Sequence, residues 1–186
     1  MTTWMKWLLC AALLVPAGAV RAEKTTDTTE TASGKRPATT GNVSDRKFVE
    51  KAASGGLAEV KLGQLAMDKG ASPTVKEFGK RMVDDHGKAN DELKEIASKK
   101  NLTLPTEVDT KQKATYDKLS KLSGSDFDKA YMDAMVKDHD QDVKEFKKEA
   151  TTTSADPELK AWAEKTLNVL EEHDRLAHQD KSALKK

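Results

Sequence analysis

Met82-Val83-Asp84-Asp85-His86 and its echo Met135-Val136-Lys137-Asp138-His139 decide how this chain is read. In each copy the histidine follows the methionine by four, which places both side chains on one helix face. Residues at helical spacing extend both copies into long stripes. One reads Val75, Phe78, Met82, His86, Ala89, Leu93, Ile96. The other reads Phe127, Tyr131, Met135, His139, Asp142 or Val143, and Phe146. Two further stripes have the same period: Phe48, Ala52, Gly55, Glu59, Leu62, Ala66, and Leu159, Trp162 or Ala163, Thr166, Leu170, His173, Ala177. Four such stripes predict four long helices, each with one polar interruption.

The flanking residues set the boundaries. The first helix is expected from Asp45 to Lys69, with Ser44 as N-cap and Gly70 as the stop. Gly55-Gly56 within it implies either close approach of a neighbour or a kink. The second helix opens with Ser72 at N-cap and Pro73 at N1. Asn101 to Gly124 is a long crossover holding at most a short helix, Lys111 to Leu122. The third helix follows Ser125, and Asp156-Pro157-Glu158 opens the fourth. The openings Ser72-Pro73 and Asp156-Pro157 are alike, as expected of two related hairpins. A crossover of this length can run along a bundle and deliver the third helix parallel to the second. The fold expected is all-α, a four-helix bundle over residues 44–180.

The N-terminal region has a different composition. Met1 to Ala22 reads as a secretory signal peptide: Lys6, nine apolar residues from Trp7 to Val15, Pro16, and a small residue at Ala22. Nine residues fall short of the roughly 20 a membrane-spanning helix needs. Acylation of Cys10 is disfavoured because Leu9, not a small residue, precedes it. Cys10 is the only cysteine, so a cleaved chain has no disulfide. Glu23 to Val43 holds seven threonines and only three apolar residues, the composition of a disordered linker. The mature chain is expected to be soluble and exported, with the periplasm as its compartment. Thirty-two basic residues against 31 acidic ones leave a charge near zero, which argues against nucleic acid as a partner, since such a binder would show a basic face. No protein partner is identified.

The polar interruptions are the candidate site. His86 lies 13 residues past Pro73 and His139 lies 14 past Ser125, so in parallel helices they differ in height by about 1.5 Å. Glu59 and His173 fall in the same middle third. Three imidazoles and a carboxylate at one level would suit zinc, copper, iron or manganese. Met82 and Met135 are weaker candidates whose sulfurs would favour copper. Ordinary packed histidines are the competing reading. Asp85, rotated by about 100° from His86, is expected to point away from the bundle axis.

The stretch Phe48-Val49-Glu50-Lys51-Ala52-Ala53-Ser54-Gly55-Gly56-Leu57-Ala58-Glu59-Val60 carries a resemblance, together with Leu62-Gly63-Gln64-Leu65-Ala66, the two Met-Val-x-Asp-His copies, and Leu122-Ser123-Gly124 with Phe127-Asp128-x-x-Tyr131. Over about Ser44 to His178 the chain resembles a family of exported bacterial proteins, domain of unknown function 4142, often labelled "predicted outer membrane protein". The resemblance implies a ferritin-like four-helix bundle and an extracytoplasmic location, and it supplies no activity. The label conflicts with the lack of any spanning element. Di-iron bundles place Glu-x-x-His on two helices, whereas Val83, Val136 and Leu170 stand three before these histidines.

The leading expectation is a non-catalytic exported protein, with a stress-related role and a mid-bundle transition-metal site as its specific options. A metal-dependent redox enzyme and a metal-free protein-binding module stay open beside it.

Overall fold

The computed structural model describes residues 42–184. The signal peptide, Cys10 and all but the last two residues of the linker lie outside the described residues. Those last two, Asn42 and Val43, are the cap and first residue of a helix.

Among the described residues there are five helices rather than four: α1 (Val43–Lys69), α2 (Pro73–Lys99), α3 (Thr110–Leu119), α4 (Gly124–Thr151) and α5 (Pro157–Ala183). The extra one, α3, is the short helix of the crossover, fixed by a capping box in which Asp109 and Gln112 exchange bonds. α1 starts two residues earlier than expected, because the Asn42 side chain accepts from the Ser44 amide at 3.0 Å. α1 packs along α2, and α4 along α5. The two hairpins meet through α1 against α4 and α2 against α5, while α3 lies on α1 and α4.

The ends establish helix direction. Gly70, before α2, bridges Gly124, the first residue of α4. Asp128 of α4 accepts from the backbone amides of Ala71 and Ser72, at 3.0 and 2.8 Å. Ser72 occupies the expected cap position but its hydroxyl makes no capping bond. The Asp128 carboxylate, buried between the two helix starts, instead takes up the amides just ahead of α2. The starts of α2 and α4 therefore share one end and these helices run parallel, as the crossover length implied. At the other end Asp45 accepts from the Asp156 amide at 3.0 Å, joining the starts of α1 and α5.

The glycines explain how closely α1 and α2 approach. A β-carbon at Gly79 would lie 2.7 Å from Ala66 Cβ and 2.7 Å from the Gly63 carbonyl oxygen. α1 runs unbroken through Gly55-Gly56, and any side chain at Gly56 would collide with Asn90 of α2. Close approach, not a kink, accounts for Gly56, whereas a β-carbon at Gly55 would meet only Gln112 Nε2, at 4.0 Å. No described helix is long and apolar enough to cross a membrane.

Two apolar clusters fill the interior. One gathers Leu62, Val75, Phe78, Met82, Phe127, Tyr131 and Met135. The other gathers Phe48, Leu93, Phe146, Leu159, Trp162 and Leu170. On every long helix the change from one cluster to the other falls at the polar interruption: Glu59, His86, His139, His173. A polar layer thus divides the core.

Candidate metal centre

Within that layer α2, α4 and α5 bring three imidazoles together. His86, His139 and His173 are buried, and one ligand nitrogen from each lies within 4.8 Å of the other two. Their ring centroids are 5.8 Å (His86–His139), 5.3 Å (His86–His173) and 5.4 Å (His139–His173) apart. A metal bound at about 2.1 Å to three imidazoles, at tetrahedral angles, would set the centroids about 5.2 Å apart. The triangle is close to that size.

Hydrogen bonds orient two of the rings. His139 Nδ1 lies 3.0 Å from the Met135 carbonyl oxygen, and His173 Nε2 lies 3.0 Å from Asp85 Oδ2. Both partners can only accept, so those nitrogens carry the protons. That leaves His139 Nε2 and His173 Nδ1 as bare acceptors, buried and unpartnered, as is His86 Nε2. Unpartnered buried nitrogens are expensive in an apolar core. Metal-binding histidines commonly donate their second nitrogen to a carboxylate or a carbonyl.

Asp85 corrects the sequence reading. It does not point away from the site: it reaches His173 of the adjacent helix while 30% of its side chain stays in solvent. Helical rotation separates it from His86 on α2, yet it faces the ring arriving on α5. A cleft of about 120 Å³ between α2 and α5 exposes this arrangement, lined by Asp85, His86, Thr166, Leu170 and His173 among others. Phe78 closes the side toward the first cluster, its ring centroid 6.2 Å from His139 and 6.4 Å from His173.

The electrostatics keep the imidazoles neutral. Burial, then the charges His139 and His173 would carry, pushes His86 well below the usual histidine range. Burial takes His139 down to about 4, with His173 adding to the effect. His173 is also lowered by burial, while its bond to Asp85 opposes the shift. A neutral imidazole is the form that ligates a metal.

Glu59 occupies the same layer but not the same group, since the ligand atoms that converge are those of the three histidines. Its carboxyl is fully buried, without a hydrogen-bond donor, and has Asp138 and Asp142 of α4 as neighbours. Burial first, then Asp138, raises its pKa well above the usual range. Met82 and Met135 are fully buried members of the first apolar cluster. Met135 serves the site through its backbone carbonyl.

Fold and site define an all-helical protein with a buried cluster of three histidines. The chain belongs to the family described as "Domain of unknown function (DUF4142)", whose model matches residues 28–179. A solved structure, "Crystal structure of DUF305 fragment from Deinococcus radiodurans", is similar in fold, with a TM-score of 0.67 at 11% identity. The match covers 77% of this chain and 98% of that one. No curated protein matches the chain.

Proposed function

We propose that this protein is an exported, ferritin-like four-helix-bundle protein that binds one divalent transition-metal ion through His86, His139 and His173. The observation that carries the reading is the convergence of three buried imidazoles, one nitrogen of each within 4.8 Å of the others, with a buried, unpartnered nitrogen on every ring. Metal ligation would satisfy all three at once. An all-imidazole set suits zinc, copper or iron better than manganese, which favours oxygen. Val83, Val136 and Leu170 leave the site without the bridging carboxylates of a di-iron centre. Apolar clusters on both sides of the layer support binding rather than turnover. Export rests on Met1 to Ala22, and the periplasm is the compartment proposed.

The chain has four histidines, so each ring can be followed individually by nuclear magnetic resonance. Zinc added to the metal-free protein should shift the ring signals of His86, His139 and His173 together, as a single binding event. If those three rings stay unmoved by zinc, copper and iron, the reading is wrong.

A further inference from the structure

The fourth histidine belongs to a different cluster. His178 on α5 lies with Asp174, one turn before it, and with Asp140 of α4; their ligand atoms are all within 4.8 Å of one another. His178 Nε2 is 3.8 Å from Asp140 Oδ1 and 3.7 Å from Asp174 Oδ1. Those separations are too long for hydrogen bonds. They approach the spacing of about 3.4 Å that donors adopt around a tetrahedral ion with bonds of about 2.1 Å.

The carboxylates are also short of partners. Among the described residues neither Asp140 nor Asp174 pairs with a lysine or arginine within 4.0 Å. Asp174 Oδ1 is removed from solvent and has no hydrogen-bond donor, although other parts of the side chain are exposed. A cation between the two acids would give Asp174 Oδ1 the partner it lacks, and the imidazole supplies a nitrogen that selects against purely oxygen-seeking ions.

We infer that Asp140, Asp174 and His178 form a second, surface metal site for a zinc-type divalent ion, joining α4 to α5. It is independent of the buried centre. Asp140 and Asp174 directly follow His139 and His173 in sequence, so they leave the same two helices on a different face. The surface site has one nitrogen and two oxygen donors against three nitrogens inside, so its preference for copper over zinc should be smaller than that of the buried centre.

The test is a zinc titration of the full chain, read by stoichiometry and by the His178 ring signal. Wild-type protein should bind two equivalents, with His178 shifting as a separate event from the other three rings. His178→Ala and, as a second variant, Asp140→Asn should each lower the count by one and leave the His86, His139 and His173 shifts intact. His86→Ala should remove the buried event and keep the His178 shift. The inference is overturned if His178 does not respond to zinc in wild-type protein, or if both surface variants keep the wild-type count. A chain in which only the three buried rings respond would refute this site and leave the buried centre standing. A chain in which only His178 responds would do the reverse.

Discussion

His173 of α5 donates from Nε2 to the carboxylate of Asp85 on α2, across 3.0 Å. The bond selects the tautomer of His173, leaves its Nδ1 bare and buried, and links a partly solvated carboxylate to the buried layer. Asp85→Ala should therefore weaken metal binding at the buried centre by about 10–100-fold. Asp85→Asn, which keeps an acceptor, should weaken it less. Competition against a chromophoric chelator measures both, and an unchanged affinity in Asp85→Ala would remove Asp85 from the account.

Metal-free stability should depend on pH in two opposing ways. The folded pKa of His139 is depressed, so its contribution is present above the unfolded value near ~6.5 and is lost as pH falls toward about 4. The shift corresponds to about 3 kcal/mol, and replacing His139 with Gln should flatten the acid limb of the stability profile by that order. Asp142 has the opposite sign. Burial first, with Asp138 and Glu145 adding to it, raises Asp142 to about 8. Its contribution is therefore present below the unfolded value near ~3.8 and is lost as pH rises through about 8. Asp142→Asn should stabilise the protein more at pH 8 than at pH 5. Denaturant melts at the two values decide this, and an equal effect at both would contradict the assignment.

Glu59 should prove separable from the metal. It sits in the polar layer without joining the three nitrogens, and its fully buried carboxyl has no donor. Glu59→Gln should keep zinc affinity at the buried centre within about threefold of wild type. It should also raise stability above neutral pH, because the amide never has to ionise in the core. Loss of zinc binding in this variant would return Glu59 to the ligand set.

Asp128 should matter for stability alone. From α4 it takes up the amides just ahead of α2 with two charge-assisted bonds. Asp128→Ala should cost about 2 kcal/mol and lower Tm by about 6 °C. Metal affinity should not change. A melt within a degree of wild type would mean that solvent or Ser72 replaces these bonds.

Much of this architecture could be read directly from residue spacing. Apolar residues at helical period marked the four long helices, and the same count placed Glu59, His86, His139 and His173 in one layer. The part that could not be read lies between helices. A helical wheel measures Asp85 against its own axis and His86, and says nothing of a ring that arrives from α5. Ser72 satisfied every local expectation of a cap, so nothing pointed to a carboxylate from α4, 56 residues away. Glu59 shared the height of the histidines, but height does not fix which neighbour its long side chain meets. Asp174-x-x-x-His178 was visible as a helical pair, whereas its third member, Asp140, required the packing of α4 on α5.

The central claim is that three imidazoles hold one metal ion. X-ray absorption at the zinc edge tests it most directly, on His178→Ala protein loaded with one equivalent so that only the buried centre is occupied. The account predicts a first shell dominated by three imidazole nitrogens at about 2.0–2.1 Å. A shell of oxygens with one imidazole or none would contradict it.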